Sequence, residues 1–112
     1  MNLIAGCARN TGATGIFGIK NADLALHCPV TTDALLGVRP EHIGLVQTSP
    51  WRGEVTVVEP TGADTFVVVK TDAGDVTVRI SPQTQARPGD AVGLEIHAAR
   101  VNWFDAGSGV RL

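Results

Sequence analysis

The sequence predicts an all-β protein, a small barrel or sandwich of about seven or eight strands, each of about four to six residues. Thirteen glycines and six prolines interrupt the 112 residues, and turn residues recur at a spacing of roughly ten residues, as expected for many short strands. Between the turns, apolar and polar residues alternate with the period that marks a half-buried strand. Helical periodicity is almost absent, and single turns near Pro40–Ile43 and Ser81–Gln85 are the best helical candidates.

The first third of the chain contains two candidate strands. Leu3–Ala5 is a short apolar segment, which we expect to lead into a glycine-rich loop over Gly6–Gly15. Ile16–Ile19 is the first candidate strand. Leu24, Leu26 and Cys28 alternate with Asp23, Ala25 and His27, which predicts a second strand that ends at Pro29, because proline cannot donate to a ladder.

The middle of the chain is expected to contain a strand, a bend and a further strand. Leu35–Val38 is apolar, and Arg39–His42 interrupts it with a proline that fixes φ, so we expect a bend there. Gly53–Val58 alternates, which predicts Val55 and Val57 on one face of a strand.

The clearest hairpin signal lies in the second half of the sequence. Thr65–Lys70 and Asp75–Ile80 flank the turn residues Asp72–Gly74. Turn chemistry also precedes this hairpin at Pro60–Asp64 and follows it at Arg87–Asp90. Two antiparallel strands joined by a tight turn are therefore expected over residues 65–80.

The last segments predict one more pair of strands. Val92–His97 and Ala99–Phe104 are both rich in apolar residues and are expected to pair with each other. Gly107–Gly109 supplies the final turn.

Composition excludes several classes of function. With 44% hydrophobic and 18% charged residues, the chain is expected to bury one compact core. Eleven acidic residues outnumber nine basic ones and aromatic residues make up 4%, so we expect no nucleic-acid partner. Cys7 and Cys28 form no CxxC pair, which favours a reducing cytosol. No apolar run approaches the ~20 residues of a membrane helix and the start does not resemble a signal peptide, so we expect a soluble domain.

No motif in the sequence indicates an active site, a cofactor or a metal. The three histidines and two cysteines show no metal-ligand spacing: His27, His42, His97, Cys7 and Cys28. Gly12, Gly15 and Gly18 match neither a dinucleotide fingerprint nor a phosphate loop. Ser108 lies between glycines but lacks the strand and helix of a nucleophile elbow.

Two longer motifs are more specific. Leu36–Ile43 reads LGVRPEHI and Val57–Thr65 reads VVEPTGADT. Downstream, Pro88–Asp90 reads PGD, Phe104–Asp105 reads FD and Gly109–Leu112 reads GVRL. Together and in this order they resemble the C-terminal regulatory region of sugar-type ABC importer ATPase subunits, such as the maltose and glycerol-3-phosphate importer ATPases. The opening Met1–Gly6 resembles the junction where such subunits leave the nucleotide-binding domain.

The resemblance implies a transport-associated OB-type domain, a TOBE domain, with an OB-fold-like barrel. It implies that residues 1–112 form a single regulatory domain, with first strands over 1–34 after the ATPase junction and the main barrel over 35–112. Met1 would then be an internal residue, and this polypeptide a domain excised from a longer ABC ATPase subunit. The chain itself lacks a phosphate loop and is not expected to be an enzyme.

The function implied is a non-catalytic regulatory and dimerisation module for carbohydrate or glycerol-3-phosphate import. Its partners would be a second copy of the subunit, permease subunits reached through the missing ATPase domain, and a regulatory protein or small ligand, at the cytoplasmic face of the membrane. The alternative is a module that binds an oxyanion such as molybdate or sulfate through Thr61, Thr65 and Lys70, although no cationic cluster marks a site. An oligonucleotide-binding barrel is a third hypothesis, opposed by charge and aromatic content.

The motif residues expected to matter structurally are Arg39, Pro40, Glu41, His42, Glu59 and Gly62. The planar guanidinium of Arg39 matches a carboxylate, so we hypothesise that Arg39 braces two β segments through Glu41 or Glu59. The alternative is an exposed arginine at a surface turn.

Four residues are candidates for an interface: Trp51, Trp103, Phe104 and Asp105. Trp51 lies between Pro50 and Arg52 in a polar loop, so we expect it to be exposed and to contact a partner. Trp103 and Phe104 either complete the core or form a patch, and core filling is the favoured interpretation.

Overall fold

Two five-stranded antiparallel sheets make up the protein, in a computed structural model that describes residues 1–11, 14–26, 32–83, 85–97 and 101–112. The elements are β1 Asn2–Thr11, β2 Thr14–Ile19, β3 Ala22–Leu24, β4 Asp33–Val38, a 3₁₀ turn Pro40–His42, β5 Ile43–Val46, β6 Arg52–Pro60, β7 Thr65–Thr71, β8 Gly74–Ile80, β9 Ala91–Ile96 and β10 Val101–Asp105. The all-β prediction is confirmed. The described residues contain more strands than expected, and their lengths range from three to ten residues.

The chain crosses between the sheets at the 3₁₀ turn. The first sheet has the order β10-β4-β1-β2-β3 and the second β5-β9-β6-β7-β8. The edge strands β5 and β8 of the second sheet approach each other, so this sheet curls towards a barrel. None of the described segments forms a helix with the length and hydropathy of a membrane span.

The glycine-rich loop expected over Gly6–Gly15 is wrong where the structure describes it. β1 runs without a break through Thr11, and Gly6 lies within it, facing the ring of Phe17 on the neighbouring strand. A Cβ on Gly6 would lie 2.6 Å from Phe17 Cζ and 2.5 Å from the Gly18 carbonyl oxygen. The glycine serves close packing between strands and does not mark a loop.

The prediction that Val55 and Val57 share a face is also wrong. The register of β6 against β7 shifts between these residues, which is a β-bulge. Val55 is fully buried, whereas Val57 is 42% exposed. The extra residue reverses the alternation, a change that period-two reasoning cannot anticipate.

The hairpin over residues 65–80 is confirmed, with β7 and β8 in register from Thr65↔Ile80 to Thr71↔Gly74. Gly74 adopts φ 114°, which favours glycine. The Thr71 hydroxyl donates to the Gly74 carbonyl oxygen (2.7 Å) and accepts from the Ala73 N–H (3.1 Å). These bonds explain the sharp turn.

Two predictions about strands need correction. β9 pairs with β5 and β6, and β10 pairs with β4 across the molecule, so the expected β9–β10 pair is wrong. The strand expected over residues 23–28 begins earlier and is shorter, because β3 spans Ala22–Leu24 and Ala25 and Leu26 are not in a strand. The predicted continuation to Cys28 and its end at Pro29 lie outside the described residues.

Two of the predicted chain reversals are present in the structure. The bend at Arg39–His42 is confirmed as the 3₁₀ turn, and Arg87–Asp90 closes with an Asp90 N–H to Arg87 carbonyl bond of 3.1 Å. Ser81–Gln83 forms a turn and no helix, held by the Gln83 N–H donating to Ser81 Oγ.

Both sheets contribute to one hydrophobic core. Its largest fully buried side chains are Trp51, Phe17, Ile4, Leu36, Ile43 and Leu94, with several valines. The sheets are also joined by side-chain hydrogen bonds. The Asn2 amide donates to the Thr77 carbonyl (2.8 Å) and accepts from the Thr77 N–H (2.9 Å), and Asn21 donates to Asp72 (2.6 Å).

Candidate functional site

The two motif segments meet beside β8, and we call this region the motif corner: Arg39–His42, Glu59–Asp64 and Arg79. The 3₁₀ turn packs against β8. The loop between β6 and β7 ends next to the same strand, where Arg79 Nη2 lies 2.7 Å from Asp64 Oδ2. Asp64 belongs to the second motif, so Arg79 links that motif to the strand on which the first one packs.

Arg79 takes the bracing role that the sequence reasoning assigned to Arg39. Arg39 is exposed, and no ion pair of Arg39 is present among the described residues, so the brace through Glu41 or Glu59 is wrong. Arg39 is extended (φ −75°, ψ 150°) before Pro40, as residues before proline prefer. The hairpin register, which pairs Phe66 with Arg79, is the signal that leads to Arg79.

Glu41 lies in a positive environment. A hydrogen bond from its own backbone N–H is the main cause that lowers the pKa of the Glu41 carboxyl; desolvation opposes it, and the charges of His42, Arg79 and Arg39 lower the pKa further. The carboxylate is fully exposed, so it tunes the surface charge of the motif corner more than its stability.

The loop of the second motif is a tight turn. Gly62 adopts φ 95°, and the Thr61 hydroxyl donates to the Asp64 carbonyl oxygen (3.0 Å) and accepts from the Asp64 N–H (3.3 Å). Glu59 is exposed on β6, opposite Phe66. The turn therefore presents Asp64 to Arg79.

The residues proposed for an oxyanion do not converge. The Thr61 hydroxyl is committed to its own turn, Thr65 is buried, and Lys70 is exposed. Thr65 and Lys70 lie an odd number of residues apart on β7, so they face opposite sides of the sheet. A cavity of about 300 Å³ adjoins the loop, lined in part by Val58 and Pro60.

His42 and His97 lie at the same end of the β5–β9 ladder. The His97 N–H donates to the His42 carbonyl oxygen (3.0 Å), and His42 Nδ1 is buried with no partner in the described part of the chain. Cys7 is an exposed free thiol. His27 and Cys28 lie outside the described residues, and within those residues no three metal-ligating side chains gather.

The expected exposure of Trp51 is wrong, because its side chain is only 2% exposed. The Leu94 N–H donates to the Trp51 carbonyl (2.8 Å), and the Trp51 N–H donates to Ser49 Oγ (3.2 Å). These two hydrogen bonds hold the loop that contains Trp51 over the core. Trp103 is 7% exposed and packs edge-to-face on Phe17, with ring centroids 4.9 Å apart. Core filling therefore describes both tryptophans.

Phe104 and Asp105 remain accessible. Phe104 is half-buried, and the Asp105 carboxylate accepts from the backbone N–H groups of Ser108 (2.8 Å) and Gly107 (2.9 Å). These bonds, together with one from the Ser108 hydroxyl, lower the pKa of Asp105. Asp105 closes the final turn.

Comparison with known proteins agrees with the motifs. The family model described as TOBE domain matches residues 36–104. The sn-glycerol-3-phosphate import ATP-binding protein UgpC of Cupriavidus metallidurans is 37% identical over 91 residues, which are 80% of this chain and 24% of that protein. UgpC of Psychromonas ingrahamii is 33% identical over 115 residues, 95% of this chain and 30% of that protein. The sulfoquinovosyl glycerol transport ATP-binding protein SmoE of Agrobacterium fabrum is 34% identical over 76 residues, 66% of this chain and 21% of that protein.

The chain spans between a fifth and a third of the length of these relatives. Among solved structures, the cytoplasmic molybdate-binding protein ModG, crystallised with molybdate bound, superposes with a TM-score of 0.73 over 97% of this chain and 95% of that chain. The sequences are 15% identical, so the similarity concerns the fold.

Proposed function

The chain belongs to the TOBE domain family, and on that premise we propose that it is the non-catalytic regulatory and dimerisation domain of an ABC importer ATP-binding subunit. The proposed cargo class is a carbohydrate or glycerol-3-phosphate. The observation that carries the proposal is the alignment of most of this chain with about a quarter of a UgpC protein, together with the family match over residues 36–104.

The geometry supports a mechanical role for the domain. One core spans both sheets, and Asn2, at the start of β1, is bonded to Thr77 on the opposite sheet. A force applied at β1 is therefore passed directly to the second sheet. In this proposal the domain moves as one body during opening and closing of two ATPase halves. It does so at the inner face of the membrane, beside a second copy of the subunit and permease subunits contacted through the ATPase domain.

A domain exchange tests the proposal. This chain replaces the region that it matches in UgpC of Cupriavidus metallidurans, and uptake of glycerol-3-phosphate by cells that carry the chimera is compared with uptake by cells that carry a truncated subunit. We expect the chimera to restore import. A folded chimera that imports no better than the truncated subunit contradicts the proposal.

Calorimetry on the purified chain with molybdate, tungstate and sulfate distinguishes the oxyanion-binding alternative from the proposed regulatory role. We expect no heat of binding, because Thr61, Thr65 and Lys70 do not converge. Saturable heat with any of the three anions would favour the alternative.

A further inference from the structure

A cavity of about 220 Å³ opens between the two sheets, and we call it the Trp51 cavity: residues 20–22, residues 50–52 and Asp72. Residues 20–22 lie where β2 of the first sheet passes into β3. Residues 50–52 lead into β6, and Asp72 lies in the turn between β7 and β8, so both of these segments belong to the second sheet. The cavity is separate from the motif corner.

The indole of Trp51 contributes a hydrogen-bond donor that has no acceptor. Trp51 is buried, and its Nε1 has no hydrogen-bond partner in the described part of the chain. Buried polar groups are almost always paired, because an unpaired group loses its hydrogen bond to water and gains none in return. An oxygen that accepts a hydrogen bond is therefore the group that the Trp51 side of the cavity lacks.

Two cations belong to the same lining. Lys20 and Arg52 are exposed, and they come from different sheets. Among the described residues neither forms an ion pair, and Arg52 Nη1 donates to the Gln47 carbonyl oxygen (2.8 Å). The Lys20 ammonium and the other N–H groups of the guanidinium match the charge and the geometry of a phosphate group.

Asp72 limits which anion the cavity suits. Its carboxylate accepts from Asn21 Nδ2 (2.6 Å) and retains lone pairs for further donors. It repels a bare tetrahedral anion such as sulfate or molybdate, but it accepts hydrogen bonds from hydroxyl groups. A small molecule that carries both a phosphate and hydroxyl groups therefore matches the cations, the carboxylate and the unpaired indole N–H together.

Pro50 covers the approach to the indole. Trp51 Nε1 is closed off from solvent, so a ligand oxygen reaches it only when the loop at Pro50 moves aside. Pro50 is exposed, and it also lines three neighbouring cavities. The space around Pro50 accommodates this movement.

We propose that the Trp51 cavity binds a small phosphorylated polyol. Its phosphate lies between Lys20 and Arg52, one hydroxyl donates to Asp72, and another oxygen accepts from the Trp51 N–H. Because the ligand contacts both sheets of the folded chain, it stabilises the fold by mass action. The probe is sn-glycerol 3-phosphate, a choice that rests on the function proposed above. We expect a dissociation constant on the order of 100 μM, as suits a small ligand with few contacts.

Fluorescence titration of the purified chain tests the proposal. Trp103→Phe leaves Trp51 as the single tryptophan, so the emission reports on the cavity. We expect sn-glycerol 3-phosphate to change this emission saturably and to raise Tm. Glycerol and inorganic phosphate are the matched ligands, because each carries only part of the chemistry, and both should bind at least about tenfold more weakly.

Lys20→Gln removes one cation at an exposed position and should weaken binding by about threefold or more. Lys70→Gln is the matched control, because Lys70 is also an exposed lysine but does not line the cavity. We expect this control to bind sn-glycerol 3-phosphate as the unchanged chain does.

Trp51→Phe retains an aromatic ring and removes the N–H, so it should weaken binding by about tenfold, measured by calorimetry. Trp103→Phe is its control, since Trp103 is also buried but lies outside the cavity lining. Melting curves establish that both variants fold. If Trp51→Phe does not fold, Lys20→Gln and Arg52→Gln decide the outcome, because both positions are exposed.

The absence of saturable binding up to about 10 mM sn-glycerol 3-phosphate overturns the proposal, as does equal weakening by Lys20→Gln and Lys70→Gln. Equal affinity for inorganic phosphate and for sn-glycerol 3-phosphate overturns the assignment of a polyol. If the chimera supports import and the chain binds no probe, the proposed function stands and the cavity assignment is wrong. If the probe binds through Lys20 and Trp51 but the chimera does not import, the cavity assignment stands and the proposed function fails.

Discussion

Asp64 and Arg79 lie 2.7 Å apart, with side chains 29% and 42% exposed, and they are the residues that tie the second motif to β8. The other ion pair among the described residues, Arg9 with Asp23, is longer (3.5 Å) and more exposed (56% and 64%). Ion pairs near solvent contribute little, and the contribution grows with good geometry and partial burial. The two pairs therefore allow a matched comparison of single residues.

Arg79→Ala is expected to lower the free energy of unfolding by about 0.5 to 1 kcal/mol, because the Asp64 carboxylate loses its partner. This corresponds to a decrease in Tm of roughly 2 to 8 °C. Arg9→Ala is the control and should change Tm by less. Thermal denaturation followed by circular dichroism measures both, and equal effects would mean that the motif corner is not braced by this pair.

The lowered pKa of Asp105 predicts that the stability of the folded state depends on pH in the acid range. Hydrogen bonds from Ser108 and Gly107 hold its pKa below the ordinary value of 3.8, so the folded state binds its proton less readily than the unfolded state. Its contribution is fully present above the unfolded pKa and is lost as the pH falls through the lower folded pKa.

Urea denaturation between about pH 6 and pH 2 measures this dependence. Asp105→Asn should lower stability near neutral pH and flatten the decrease at acid pH, and Ser108→Ala should do so in part. An unchanged pH profile in Asp105→Asn would contradict the assignment.

At the scale of elements, β1 and β2 show that a glycine within a strand can serve close packing. β1 continues through Gly6, and the Phe17 ring occupies the space that a side chain at this position would need. The β-bulge in β6 changes which side chains are buried, because it turns Val57 out of the core. In both strands packing overrides the local pattern.

Gly6→Ala is expected to cost about 1 to 3 kcal/mol, because the new methyl group overlaps both Phe17 and the Gly18 carbonyl. Gly44→Ala on β5 is the matched control, because the nearest atom to its added Cβ is His97 Nε2 at 4.0 Å. Chemical denaturation compares the two variants. Equal stability of the two would show that Phe17 yields without cost.

At the scale of the whole molecule, the two sheets share one core. The chain passes from the first sheet to the second at the 3₁₀ turn and returns to the first sheet between β9 and β10. The Asn2 amide bonds both backbone groups of Thr77, which lies 75 residues away in sequence. The molecule is therefore expected to unfold in a single cooperative transition, with Asn2 as a contact between the sheets.

Asn2→Ala removes both bonds and leaves partly buried backbone groups of Thr77 without a partner, which should cost about 1 to 3 kcal/mol. Asn2→Asp retains an acceptor for the Thr77 N–H but cannot donate to the Thr77 carbonyl, so it should also be destabilised. Calorimetry should show a lower Tm and still one transition. A Tm equal to that of the unchanged chain would show that the hydrogen bonds of Asn2 to Thr77 do not help to hold the two sheets together.

The features predictable from sequence are those set within a few residues of each other. Turn chemistry located the Asp72–Gly74 hairpin, the bend at Pro40 and the reversal at Pro88–Gly89, because glycine and proline restrict φ locally. Alternation of apolar residues established the all-β class, and the order of the motifs identified the family.

The partners of those elements were decided by the tertiary structure. Three such features depend on contacts between residues that are not neighbours in sequence: the pairing of β10 with β4, the ion pair of Arg79 with Asp64, and the burial of Trp51. Sequence patterns state which side of a strand is apolar, but many strand orders satisfy the same pattern. Only the packing of one shared core selects among them, because it must fill space without voids and leave few buried polar groups unpaired.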